Sequence, residues 1–221
     1  MGVLLAVVGL RAEGTDRAAH RQLAELDAQL AANPTNAAVL LQLAKLHHNE
    51  ATRGAADAVF HVGRAQAHLA TLLAAEPKHA FGRALLGSTT VLSARDAFWP
   101  GTKLKRVREG LAQLDAALTE FPGDHNARFT RAVNNLYLPD LFERRSVVEA
   151  DFGWLRERAD RGDFDAEFRQ YVFLYHGRAL ARWKRPADAA NAWNAGLAID
   201  PQSKVADELR RELAAAQLGS L

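Results

Sequence analysis

The sequence predicts an all-α protein, a solenoid of about ten helices paired into antiparallel hairpins. Three observations carry that expectation. Apolar residues recur at spacings of three and four through nearly the whole chain. Alanine and leucine dominate while β-branched residues are sparse, which favours helix over sheet. Proline-centred breaks return at intervals of tens of residues, the mark of stacked repeats. With 48% of its 221 residues hydrophobic, the chain can fill a continuous core.

The first helix is read from Asp16 to Ala32, where Leu23, Leu26 and Leu30 line one face. Asn33-Pro34-Thr35-Asn36 ends it: Pro34 cannot continue a helix, and Thr35 or Asn36 can cap the next one. The same punctuation returns at Glu76-Pro77-Lys78, Phe121-Pro122-Gly123-Asp124 and Asp200-Pro201-Gln202-Ser203. Helices are therefore expected near 16–32, 36–50, 54–75, 79–95, 103–120, 124–137, 140–160, 165–184, 186–199 and 203–217. The last carries Glu208, Arg210, Arg211 and Glu212 on its polar side, as suits a helix that solvates the end of an array.

The spacing over 165–203 is the most specific. Gly177 is followed by Ala189, Trp193, Gly196 and Pro201, with Phe173 four residues before it. Small residues at these intervals let two antiparallel helices approach closely, while large ones fill the groove between neighbours. This pattern resembles the tetratricopeptide repeat (TPR), and the resemblance extends with insertions from Asp16 to the end. Leu86-Gly87, then Gly110, Leu114, Ala117 and Pro122, reproduce one unit; Ala44 with Ala65, Leu69, Leu72 and Pro77 reproduce another; Ala132, Ala150, Trp154 and Gly162 suggest a third. The nine to eleven extra residues in the first two are expected to lengthen helices by one or two turns or to enlarge inner loops. The resemblance implies a right-handed solenoid and a protein-binding role.

Residues 1–15 stand apart from the repeat domain at 16–221. The run Val3–Leu10 is too short to span a bilayer. It has the length of a signal-peptide core without a basic start, or it is an apolar N-terminal segment packed on the array. Its composition favours export to the periplasm over a cytoplasmic location. A net charge of +2 and a pI near 9.1 are too mild for a dedicated nucleic-acid binder, so no nucleic acid is expected as partner. The chain has no cysteine, which excludes disulfides, thiol nucleophiles and thiolate metal sites.

No catalytic, cofactor or metal motif emerges. His47 and His48 are adjacent and face different ways; His61 and His68 share a face but no carboxylate falls between them at ligand spacing, so structural or surface roles are expected. There is no Gly-x-Ser-x-Gly elbow and no phosphate loop. Glu149 and Asp151 sit beside arginines as salt-bridged surface. Two segments remain. Phe98-Trp99-Pro100-Gly101 enters the basic stretch Lys103-Leu104-Lys105-Arg106-Val107-Arg108; it is either a docking loop for an acidic or membrane partner or, the preferred reading, an aromatic plug packed between repeats. Arg128 and Arg131 share a helix face and either pair with Glu143, Glu149 or Asp151 or bind an anion.

The resemblance also implies where a ligand would lie, on the face formed by the first helix of each hairpin. Carried over residue by residue, that face comprises Leu41, Lys45 and His48; Phe81, Ala84 and Ser88; Asn126, Phe129 and Val133; and Tyr171, Leu174 and Arg178. The lining is apolar with polar edges and suits an amphipathic helix or an extended peptide. The carboxylate clamp of some co-chaperone members is not reproduced, since Leu41, Ala84 and Phe129 stand where polar groups are needed. The expected function is a non-enzymatic adaptor or scaffold for an unidentified protein or peptide. The alternatives are a small-molecule-binding or enzymatic helical-repeat protein and, behind these, an RNA-binding one.

Overall fold

A computed structural model of the chain describes residues 13–54 and 57–218, with side chains from 21 to 217. The run Val3–Leu10, with its export reading, lies outside the described residues. Ten helices are found among these residues: α1 (Glu13–Ala32), α2 (Ala37–Thr52), α3 (Ala58–Ala75), α4 (Ala80–Ser93), α5 (Pro100–Glu120), α6 (His125–Leu136), α7 (Arg145–Arg161), α8 (Ala166–Arg182), α9 (Pro186–Ile199) and α10 (Lys204–Leu218). The chain divides into two compact units, with the boundary after Arg131, inside α6.

Four helix starts differ from expectation by three or more residues: α1 begins at Glu13 rather than 16 and α3 at Ala58 rather than 54, and the other two have a visible cause. α5 begins at Pro100 rather than 103, because a proline in the first turn has a suitable φ and its missing N–H has no partner there anyway. α7 begins at Arg145 rather than 140, because Pro139 and a left-handed Glu143 (φ 52°) set a short 3₁₀ turn, Asp140–Phe142, in between.

Capping follows a repeating rule. Each first helix starts on a side chain that accepts an otherwise unpaired backbone N–H: Asn36 from Val39, His79 from Gly82, Asp124 from Ala127, Asp165 from Phe168 and Ser203 from Ala206. Three of the preceding proline turns are tied down by arginines from the helix that follows, that at Pro201 by Arg210 Nη2, which donates to the Pro201 carbonyl. Arg83 Nε donates to the Pro77 carbonyl (2.6 Å), and Arg128 Nη2 donates to that of Pro122 (2.6 Å).

In the N-terminal unit α2/α3 and α4/α5 form hairpins, α1 packs on α2, and α3 packs on α4. Leu26, Val39 and Leu43 make one buried cluster; Leu40, Ala44, Leu69, Leu72 and Leu85 make another. The helices of the second hairpin meet at Gly87 and Gly110. A Cβ placed on Gly110 would lie 2.5 Å from the Gly87 carbonyl oxygen, so neither position has room for a side chain. The extra residues of these hairpins go where expected. α3 and α5 have 18 and 21 residues against 14 in α9, and the connections at 53–57 and 94–99 exceed the short turn at 183–185.

In the C-terminal unit α8/α9 form a hairpin flanked by α7 and α10. Gly177 is the point of closest approach. A Cβ there would fall 2.2 Å from Trp193 Nε1, which lies against the α8 backbone and donates to the Leu174 carbonyl (3.1 Å). A fully buried Gln170 closes the far end of the hairpin. Its Nε2 donates to the carbonyls of Gly196 (3.1 Å) and Asp200 (2.8 Å), and its Oε1 accepts from the capping Ser203 hydroxyl (2.6 Å). One amide thus satisfies the end of α9 and orients the start of α10. Gly162 ends α7 in the left-handed region (φ 80°), in place of a proline.

Gly177→Leu should therefore lower stability by about 3 kcal/mol or more, as overpacking at a backbone contact. Gly153→Ala, in the exposed middle of α7 with nothing near the new methyl, should raise it by about 0.5–1 kcal/mol. Urea unfolding of both variants checks the pair; a Gly177→Leu protein that melts like the parent contradicts the hairpin contact.

Candidate partner-binding surface

In the N-terminal unit the first helices α2 and α4 are neighbours, and the residues expected on their common face come together. Leu41 and Phe81 are half-buried and pack on the same cluster. Lys45 is exposed and its ammonium sits over the Phe81 ring, 6.0 Å from the centroid. His48 lies between Ser88 and Thr89 of α4. Asn126 and Phe129 are half-buried on α6. Ala84 and Ser88 are instead closed to solvent, so they space the helices rather than face a ligand.

The C-terminal unit places its share differently. Leu174 is fully buried beneath Trp193, and Tyr171 packs on the same cluster under α10. Arg178 reaches Glu212 (2.7 Å) and Glu208 (3.1 Å) of α10, and its guanidinium lies 4.8 Å from the Tyr175 ring centre. The last helix thus covers much of the α8 face, while Val133 is half-buried on α6. Arg131 reaches back to Asp115 of α5 (3.2 Å).

The Ser88–His48 contact has the outline of a nucleophile and base, and its chemistry can be followed. Thr89 donates its proton to the Leu85 carbonyl (2.7 Å), so its oxygen accepts from His48 Nδ1 (3.1 Å). His48 Nε2 is then the acceptor facing the Ser88 hydroxyl (3.3 Å). The group orienting the imidazole is a hydroxyl, which stabilises an imidazolium far less than a carboxylate would, and Ser88 is only 3% exposed. Burial pushes His48 down to about 4, so it stays neutral as a helix-to-helix link.

A second histidine group lies on the other side of α2, as the adjacency of His47 and His48 requires. His61 Nε2 faces Asp57 (3.4 Å), leaving its Nδ1 to accept from His47 Nδ1 (2.8 Å). His68 stacks on His47 with ring centres 5.7 Å apart. Burial, with His61, His68 and Arg64 close by, pushes His47 down to about 4, and burial also lowers His68. Among the described residues no group of three or more His, Cys, Asp or Glu is arranged to hold a metal ion, and no helix is long and apolar enough to cross a membrane.

The expectation of an aromatic plug at 98–99 is corrected. Phe98 is 85% exposed and Trp99 68%, touching each other edge to face at 5.1 Å. Pro100 opens α5 directly after Trp99, which leaves the pair at the tip of the turn instead of folding it back between hairpins.

No protein-family model matches the chain, and no curated protein matches it. Among solved structures, the crystal structure of TTC0263, a thermophilic TPR protein in Thermus thermophilus, superposes with a TM-score of 0.70. The match covers 92% of this chain and 94% of that one at 19% identity. The fold is TPR-like. At that identity the likeness speaks to fold alone, and it agrees with the hairpin contacts at Gly87, Gly110 and Gly177.

The TPR-like core contains three imidazoles held near 4, since burial and nearby Arg156 and Arg185 also lower His176 to about that value. An unfolded histidine takes its proton near 6.5. The unfolded chain therefore binds protons first as pH falls, and the stability present above 6.5 is lost on the way to 4, by up to about 3 kcal/mol for each ring. Urea midpoints should fall between pH 7 and pH 5, a range in which exposed carboxylates titrate little; equal midpoints contradict the neutral, buried assignment.

Proposed function

We propose that the chain is a non-enzymatic adaptor that holds a protein or peptide on the first-helix face of its N-terminal unit. One observation carries the reading. Consecutive first helices α2 and α4 put Leu41 and Phe81 side by side, half-exposed, with Lys45 at the rim. A partly open apolar strip with a polar edge suits an amphipathic helix or an extended peptide. The TPR-like fold supports the same reading, because stacked hairpins leave one face of each first helix unused by packing. The structure it resembles, TTC0263, is itself described as a TPR protein. Tyr171 and Arg178 would act in the C-terminal unit by holding α10, with Leu174 supporting them from the core. Asn126 and Phe129, on the part of α6 that belongs to the N-terminal unit, would add to that unit's contacts, and Val133 belongs to the C-terminal unit.

A photo-crosslinking amino acid placed at position 41 or 81 should capture a defined partner in the native host, whereas the same group at Thr71, on the exposed outer side of α3, should not. Lys45→Glu should reduce capture severalfold while leaving the helical circular dichroism unchanged. Equal capture from positions 41, 81 and 71, or none from any of them, contradicts the assignment.

A further inference from the structure

The internal turns of the two N-terminal hairpins lie on one edge of the unit. Arg95 at the end of α4 donates from Nη1 to the Ala51 carbonyl at the end of α2 (2.8 Å), which locks the two turns side by side. Among the described residues of this unit, the exposed large apolar side chains lie at or just after these two turns. Val59 is 68% and Phe60 57% exposed at the start of α3; Phe98 and Trp99 form the tip before α5; Leu104 follows on its first turns. Apolar groups gathered at one edge in this way mark a contact surface.

The charges at the start of α5 are mostly positive, while Asp57, beside Val59 and Phe60, is an exposed acid that faces His61. The first three turns of α5 carry Lys103, Lys105, Arg106 and Arg108 against a single acid, Glu109. The first turn contains no acid to offset the positive helix end. Lys103 and Arg106 are also tied to the carbonyls of Arg95 (3.2 Å) and Ser93 (2.8 Å), so they stay beside the tip. Lys105 and Arg108 are exposed, Lys105 with Glu109 at 3.8 Å. At the helical rise they stand roughly 8 and 12 Å along α5 from its start. Around the neighbouring turn, Arg53 pairs with Glu50 and Asp96 with Arg95, so those charges cancel locally.

We propose that this edge docks on an anionic lipid surface, with Phe98 and Trp99 entering the interface and Lys105 and Arg108 meeting the phosphates. Charge complementarity selects the sign of the surface. The shape of the tip selects its nature. The two rings are largely open to solvent at the tip of the turn, so they project outward and form no pocket for a partner's residue. A fluid interface receives such a projection without a matching cavity, and tryptophan and phenylalanine beside lysine and arginine are the side chains that partition there. The inference is independent of the first-helix face, which Lys45→Glu probes.

The test uses the full chain with vesicles of phosphatidylcholine and phosphatidylglycerol (roughly 70:30, enough anionic lipid to set up a negative surface potential), or of phosphatidylcholine alone, both including lipid brominated on the acyl chain. Sedimentation should occur with the anionic vesicles and weaken in high salt. The bromines should quench tryptophan emission. Trp99→Phe should keep the sedimentation and lose that quenching, while Phe98→Ser/Trp99→Ser should lose both. Lys105→Glu/Arg108→Glu should weaken binding by about tenfold or more. The serine substitutions touch no core contact, so a folded variant is expected, and circular dichroism verifies it. No sedimentation of the parent overturns the proposal, as does sedimentation that is unchanged in the serine variant or without quenching from Trp99. A folded serine variant that loses capture of a protein partner, when the parent ignores vesicles, makes the edge a protein-docking surface and likewise overturns it.

Discussion

The structure depends on how closely two antiparallel helices are allowed to approach. At Gly87 and Gly110 the backbones of α4 and α5 touch, and at Gly177 the indole of Trp193 rests on the backbone of α8. In the hairpin of α2 and α3 the corresponding residues, Ala44 and Ala65, are both fully buried. Once these points are in contact, the larger side chains have only the grooves between hairpins to fill, and Leu40, Leu69, Leu72 and Leu85 fill them. The remaining polar demands then fall at fixed places. Helix starts need an acceptor, met by Asn36, His79, Asp124, Asp165 and Ser203, and helix ends need a donor, met by Gln170 at α9.

This division of labour leaves two kinds of surface in the N-terminal unit. The first-helix face is half-closed, apolar and tied together by neutral polar links such as His48 to Thr89. The turn edge is the opposite: its aromatic tip is open and its cations crowd around it. A face of the first kind suits a shaped polypeptide, and an edge of the second kind suits a surface without shape. The second follows from the architecture of these hairpins: their inner turns are long and their second helices extend by several residues, which carries Phe98 and Trp99 clear of the core.

Much of the fold was legible because it is written in small residues and prolines at fixed intervals. Gly177, Gly87 and Gly110 mark contacts that a one-dimensional spacing reveals, and each Pro turn announces the capped helix after it. The site was legible only in part. A first helix packs on neighbours from two sides, so its apolar stripe contains both groove-facing residues, such as Leu41 and Phe81, and core residues, such as Ala84 and Leu174; periodicity does not separate them. The aromatic pair read as a plug because burial is the commoner use of Phe and Trp, and only the start of α5 at Pro100 decides that it projects. Gln170 carried no local signal, since its partners come from positions up to 33 residues away in the chain, and the shared face of His61 and His68 did not reveal the approach of His47 from α2.

The central claim is that backbone contact at small residues holds each hairpin, and the pair Gly87 and Gly110 tests it most directly. Urea unfolding of Gly87→Ala, Gly110→Ala and the double variant forms a double-mutant cycle. If the helices touch there, either methyl alone forces them apart and destabilises the protein, and the second then adds little, so the double variant is far less destabilised than the sum. Single substitutions that are neutral, or a double effect equal to the sum, would contradict the account.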